Sequence, residues 1–270
     1  MKISFVIPAH NEEHLLPKCI ESIEKALASG SYDAEIIVVD NASTDRTGEV
    51  ARAYPFVQVV EEPRKGLTRA RQSGFDASTG DLIANIDADT IIPPGWIDTV
   101  QREFAKDAKL VAFSGPFDYY DLPPIKRFFS KIFISSYPLV HYLTHRIFRV
   151  GAMLQGGNFV LRRDALIAAG GFDTTIVFYG EDSDIARRIS KFGKVTWTLR
   201  LPILASGRRL LHEGLVRSGF RYAVNFFSTN LSGKPWDKEY TDIRPQHRQI
   251  IKNGRAAAPS VANAYAERKQ

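Results

Sequence analysis

The chain has 270 residues, 44% of them hydrophobic and 24% charged, with a net charge of +6. That balance suits one globular domain with an appendage, and the basic surplus favours anionic partners: a nucleotide, a nucleic acid or an acidic membrane surface. The single cysteine, Cys19, excludes a disulfide framework and a cysteine metal site, and no charge-free window is long enough to predict a transmembrane helix.

In chain order, "ISFVI" (3–7) predicts a buried strand. Its apolar run stops at Pro8, too short for a signal peptide, so a cytoplasmic protein is expected. A helix is predicted over 12–28, with Leu15, Leu16, Cys19, Ile20, Ile23 and Leu27 along one face. A strand at 34–39 closes on Asp40. A short helix follows, with Ser43 or Thr44 as candidate caps. "VQVV" (57–60) is a third strand, "KGLTRARQSGFDAS" a helix and "LIANI" (82–86) a fourth strand. Strands alternating with helices at this spacing predict an α/β fold, a mixed, mostly parallel central sheet with helices on both faces. Ligands of such sheets bind beyond the carboxyl ends of the strands, where Pro8-Ala9-His10, Asp40 and Asp87-Ala88-Asp89 all fall.

The second half is less regular. A strand is expected at 110–115. Residues 122–163 contain no Asp or Glu but carry Lys126, Arg127, Lys131, Arg146, Arg149, Arg162 and Arg163 among phenylalanines and tyrosines. "GGNFVLRRDALIAAGGF" reads as strand, turn and helix, and "YGEDSDIARRISKFG" as an acidic loop entering a helix that ends at Gly193. "KVTWTL" reads as a strand. An amphipathic helix is predicted over 215–231, with Leu215, Phe220, Val224, Phe227 and Leu231 on its apolar face. The division expected is one domain over 1–231, with a nucleotide-binding half (1–115) and an acceptor half (116–231) that carries a basic aromatic insertion at 116–150. A polar tail, 232–270, follows.

Several short motifs carry chemistry, each with an ordinary structural alternative. Residues two apart on an extended chain point the same way, so Asp87 and Asp89 can address one cavity, and their oxygens suit Mg²⁺ or Mn²⁺. The alternative is that Asp89 or Thr90 caps the helix starting near Pro93-Pro94. Asp40 either closes an Asx-turn or binds a base or ribose. Glu181 and Asp182 open a helix, where acids are favoured anyway, yet an acid there can serve as a general base. Gly156-Gly157 is either a plain turn or a place where backbone approaches a ligand. His212 is structural, exposed or a metal ligand.

The ordered set "FVIPAHNEEHLLPKCIESI", "EIIVVDNASTDRTGEVA", "KGLTRARQSGFDASTGDLIANIDADT" and "GGNFVLRRDALIAAGGFDTTIVFYGEDSDIARRI" resembles the family 2 glycosyltransferases, which have the glycosyltransferase A fold. The likeness covers about residues 1–200, outside 116–150 and the tail. It implies inverting transfer of a sugar from a nucleoside diphosphate sugar to an acceptor hydroxyl, on a glycan or a lipid-linked acceptor, with no nucleic acid among the partners. By resemblance, Pro8, Ala9, His10 and Glu12 border the nucleotide, Asp40 binds the base, and Lys65, Gly66 and Arg71 help hold the nucleotide. Gly157 and Glu181 belong to the substrate-binding set. Asp87 contacts ribose or sugar, Asp89 ligates the divalent cation, and Asp182 is the base. A late histidine adds a metal contact in many relatives, and His212 is its candidate. His10 departs from the pattern, which often has an aromatic residue there.

Two other classes are weighed. A nucleotidyltransferase would carry a Gly-rich basic loop after the first strand, which "IPAHNEEH" is not. A non-catalytic sugar-nucleotide binding module would not need Asp87, Asp89 and Asp182 together. Segment 122–163 is expected either to pack on the domain with its cations in water, or to make a peripheral contact with the inner face of a membrane.

Overall fold

Alternation along β1 (Ile3–Ala9) assigns the two faces of a sheet. Phe5 and Ile7 pack with Leu16, Ile20 and Ile23 of α1 (Leu16–Ala28) on one side, while Val6 packs with Ala70 and Phe75 on the other. The structure, a computed structural model, describes residues 1–147, 152–237 and 242–244. β2 (Ala34–Asn41), α2 (Thr47–Arg52), β3 (Val57–Glu62), α3 (Leu67–Ala77) and β4 (Leu82–Ile86) complete the regular first half. β3, β2, β1 and β4 lie side by side and parallel. Buried runs such as Ile36-Ile37-Val38-Val39 follow from a sheet covered on both faces.

β5 (Thr90–Ile91), α4 (Trp96–Lys106), β6 (Leu110–Ser114) and β7 (Phe117–Tyr119) follow, and then the helices α5 (Pro124–Ser135) and α6 (Tyr137–Tyr142) with a π-helical turn at Leu143–Ile147. β8 (Asn158–Arg162), α7 (Arg163–Ala168), α8 (Glu181–Ile189), β9 (Lys194–Trp197), β10 (Ile203–Ala205), α9 (Arg208–Glu213) and α10 (Leu215–Ser232) finish the described elements. β8 enters the main sheet antiparallel, between β4 and β6, giving the order β3-β2-β1-β4-β8-β6-β9. A second, small sheet runs β5-β10-β7.

Several boundaries differ from the sequence reading. α1 starts at Leu16 rather than Glu12, because the Leu15 and Leu16 N–H groups close a turn on the Glu12 carbonyl and Pro17 then sits in the first helical turn. Ser43 and Thr44 do not cap α2: the Ser43 hydroxyl accepts from the Asn11 N–H, and Thr44 donates to Asn11 Oδ1. The Asp45 carboxylate takes the first-turn donor, Thr47 N–H, at 3.0 Å. Neither Asp89 nor Thr90 caps α4, whose start is Gly95 at φ 77. The Thr90 hydroxyl instead donates to the Asp87 carbonyl at 2.7 Å. α8 ends at Ile189, ahead of Gly193. Of the tail, residues 238–241 and 245–270 lie outside the described residues.

Candidate active site

Two connections build the site. The first is β4 running into Asp87-Ala88-Asp89, where the Asp87 N–H donates to the Gly157 carbonyl at 3.3 Å and ties this loop to the turn before β8. The second is the small sheet. Pairing of Ala205 with Thr90 and Leu204 with Ile91 sets the chain after β10 beside the one before β5. Arg208, in the first turn of α9, therefore meets Asp89, with Nη2 3.0 Å from Oδ2.

A cleft of about 430 Å³ is lined by Pro8, Glu12, Arg71, Asp87, Asp89, Glu181 and Asp182. Arg71 is wholly buried, pairs with Glu181, reaches Asp87 at 3.3 Å and stacks over the Phe159 ring at 4.9 Å. Asp182 accepts the Ser183 N–H at 2.7 Å and the Gly156 N–H at 3.1 Å. Gly156 and Gly157 form the wall between the acids. A Cβ on Gly157 would fall 2.2 Å from the Asp87 carboxyl carbon, and one on Gly156 3.0 Å from Glu181 Oε1. The glycine pair thus gives room to protein carboxylates, and Gly157 also needs its φ of +83.

Among the described residues five carboxylates line the cleft: Glu12, Asp87, Asp89, Glu181 and Asp182. Against them stand Arg71, Arg208 and Arg244, since Arg209 is engaged by Glu213 at 2.7 Å. Full ionisation would leave negative charge in excess, and burial acts against that at single groups. Burial pushes the Asp89 carboxyl up to about 7 against the pull of Arg208. It raises Glu181 to about 8 against Arg71, and it raises Asp182 against the Ser183 and Gly156 N–H groups. Glu12 goes the other way: burial opposes its charge, but Arg208 and Arg244 outweigh it and hold its carboxyl low. Among the described residues no group of three or more His, Cys, Asp or Glu side chains forms a metal cage. Two hard carboxylates, Asp87 and Asp89, on one cleft nonetheless fit Mg²⁺ or Mn²⁺, which is bound through one or two carboxylates with waters and substrate phosphates.

The remaining expected residues form a neighbouring group or stand apart. His10 Nδ1 is 2.7 Å from the Asn41 carbonyl, and Asn41 Oδ1 accepts the Gly66 N–H at 2.8 Å. Lys65 and His10 both face Asp242, at 2.9 and 3.5 Å. Asp40 accepts the Ser43 N–H at 3.3 Å, the turn role, with its carboxylate against Gly48. Ala9 is buried in the core and does not line the cleft, though its neighbour Pro8 does. His212 is not brought to the acids: it is exposed in the last turn of α9, and the cation this helix gives to Asp89 is Arg208. Sequence reasoning missed Arg208, Arg244 and Asn41. Arg244 Nε reaches Glu12 at 2.9 Å, and Asn41 holds the Glu62 and Arg64 carbonyls at 3.0 and 2.9 Å. The only local signal for Arg208 was the "RRLLHEG" run.

The model of the family described as Glycosyl transferase family 2 matches residues 4–170, and the chain belongs to that family. It is similar to the probable glycosyltransferase YdaM of Bacillus subtilis (strain 168), 30% identical over 205 residues, or 71% of this chain and 47% of that one. It is also similar to undecaprenyl-phosphate 4-deoxy-4-formamido-L-arabinose transferase of Pseudomonas fluorescens (strain Pf0-1), 32% identical over 115 residues, covering 40% of this chain and 34% of the relative. The chain thus spans half or less of the length of these curated relatives. Among solved structures it resembles mannosyltransferase PcManGT from Pyrobaculum calidifontis in complex with GDP-Man and Mn²⁺. The TM-score is 0.65 at 20% identity, with 94% of this chain and 68% of that chain covered. At that identity the likeness speaks for the fold, the glycosyltransferase A fold.

Proposed function

We propose that the protein transfers a sugar, with inversion, from a nucleoside diphosphate sugar to an acceptor hydroxyl, with Asp182 as the general base. The observation that carries this reading is the convergence of Asp87, Asp89 and Asp182 on one cleft. Pro8 and Glu12 border the nucleotide, while His10, Asp40, Lys65 and Gly66 shape the loops beside it. Asp87, held by Arg71, faces the ribose or sugar. Asp89 and Asp87 would hold Mn²⁺ or Mg²⁺, which when bound supplies charge stabilisation to the diphosphate leaving group. The Mn²⁺ in the mannosyltransferase complex supports a divalent cation here. Arg208, shared between Glu12 and Asp89, adds fixed positive charge on the same side.

Asp182 is prepared for proton transfer by its setting. Burial raises its basicity, and the two backbone N–H groups orient the carboxylate without neutralising it. The acceptor side of the cleft is walled by Phe133, Tyr137, Tyr222 and Phe226. That apolar wall and the undecaprenyl-phosphate transferase relative favour a lipid-linked acceptor over a free glycan.

The test is release of nucleoside diphosphate from candidate donors with Mn²⁺, alongside donor binding. Asp182→Asn should bind donor with unchanged affinity while turnover falls by about 10²–10⁴-fold. Donor binding by wild type with no turnover on any acceptor would replace this reading with a binding module.

A further inference from the structure

α10 is mounted with its polar side inward. Its buried residues are Ser218, Asn225, Thr229 and Asn230. Val216, Phe220, Phe227 and Leu231 are exposed, Val216 at 86% and Phe220 at 73%. α5 is built alike: its one buried residue is Ser130, and Ile125, Phe128, Phe129 and Ile132 are exposed. Two neighbouring helices that both turn their apolar residues outward leave an interaction surface, not scattered surface hydrophobes.

The two faces are continuous. A Cβ on Gly219 of α10 would lie 3.8 Å from the Phe133 ring of α5, and both helices line the acceptor side of the cleft. Trp236 after α10 shares a recess with Phe220 and Arg217, and Leu139 and Tyr142 of α6 are also exposed. The charge on these helices has one sign. Lys126, Arg127 and Lys131 of α5 and Arg217 and Arg221 of α10 are cations, and neither helix nor α6 carries an Asp or Glu. Arg127 pairs with Asp118 at 3.1 Å and Arg221 with Asp237 at 2.8 Å, while Lys131, 3.8 Å from Asp118, and Arg217 are exposed.

We propose that α5 and α10 together form a bilayer-docking surface that lies on an anionic lipid leaflet. Its phenylalanines and leucine sit among the acyl chains and its cations at the headgroups. Charge complementarity selects this occupant: an apolar face whose helices carry five lysines and arginines and no acid, against Asp118 and Asp237 on the flanking segments, matches an anionic interface. Among the described residues no helix is long and apolar enough to cross a membrane, so the contact is one of lying on the surface. Seated this way, the apolar side of the cleft opens at the lipid surface, where a lipid-linked acceptor resides. That consequence rests on the proposed transfer reaction; the docking does not.

The test is co-sedimentation of the full chain, without donor, with phosphatidylcholine vesicles containing or lacking phosphatidylglycerol. Wild type should be retained by the anionic vesicles and released at high salt. Phe128→Ser/Phe220→Ser, one exposed residue from each helix, should lower the partition coefficient by about tenfold or more while leaving the melting temperature unchanged. Lys131→Gln/Arg217→Gln should lower it by roughly tenfold on anionic vesicles only. Absence of retention on anionic vesicles overturns the proposal, as does equal retention of either double variant. So does a wild-type dimer, seen by sedimentation velocity, that Phe128→Ser/Phe220→Ser dissociates, since a second copy would then cover the face. Because no donor is present, failure here leaves the transfer reading untouched, and failure of turnover leaves this one untouched.

Discussion

A methyl group at Gly157 has nowhere to go: it would fall on the Asp87 carboxyl, and the backbone there is at φ +83. Gly157→Ala should therefore cost about 1–2 kcal/mol of stability from the left-handed backbone alone. Displacement of Asp87 should lower turnover by on the order of 10²-fold. Thermal melts and steady-state kinetics on the same preparation separate the two effects. Glu62 gives a pH prediction. Arg64 at 2.9 and 3.0 Å and Ser73 at 2.8 Å hold its carboxylate, and with burial opposing, its pKa falls to about 2. A depressed carboxyl contributes stability that is fully present above its ordinary value near 4.5 and is lost as pH falls towards 2. Glu62→Gln should flatten that acid limb, with the gap in melting temperature from wild type closing below about pH 2. At this scale the sequence was legible where chemistry is local. Asp87, Asp89 and Asp182 stand at the ends of readable elements and line one cleft. Arg208 was not legible, because Glu12 lies 196 residues away and no spacing rule joins them. His212 drew attention in the same segment as the likelier ligand type. Four residues further along a helix is a displacement of about 6 Å, and it puts that side chain in solvent.

For elements, α10 shows what periodicity can and cannot say. A stripe of apolar residues at helical spacing predicted a helix over 215–231, and Leu215–Ser232 is helical. The spacing carries no sign, however: it separates two faces without saying which one meets the protein. The inward face was the polar one, satisfied by side-chain bonds at Asn225, whereas Thr229 Oγ1 and Asn230 Oδ1 have no partner among the described residues. Asn225 donates to the Arg221 carbonyl at 2.8 Å and to Asp237 at 2.7 Å, and its Oδ1 accepts the Asp237 N–H at 2.9 Å. Asn225→Ala removes three hydrogen bonds of a buried side chain, with Arg221 still holding Asp237 at 2.8 Å, and should cost about 1–3 kcal/mol. Trp236, next to Asp237, is a fluorescent reporter for that local release during denaturant titration. Val216→Ser, on the outer face of the same helix, should leave stability unchanged within about 0.5 kcal/mol.

The whole molecule is less divisible than its motifs suggest. The nucleotide and acceptor halves read from sequence share one sheet, because β8 of the later half lies between β4 and β6 of the earlier one. Among the described residues β6 pairs with β8 and β9 alone, so a fragment ending at residue 115 lacks both of those neighbours. A fragment 1–115 should lack cooperative melting and amide protection in β4 and β6, as measured by hydrogen exchange. The parallel α/β half was legible because each strand and crossover is contiguous and short. The insertion of β8 was not, since a strand's apolar run does not name its partners.

The placement of β8 also sets a clock on synthesis. β4 is complete at Ile86, yet its partner strand starts at Asn158. At ordinary translation rates of 5–20 residues per second, those intervening residues take roughly 4 to 14 s to make. Throughout that interval the growing chain presents β4 as a bare, apolar sheet edge, the kind that recruits other strands. Ribosome-held chains stalled just before residue 158 should bind holdase chaperones strongly, and chains stalled far enough on for β8 to clear the exit tunnel should let them go.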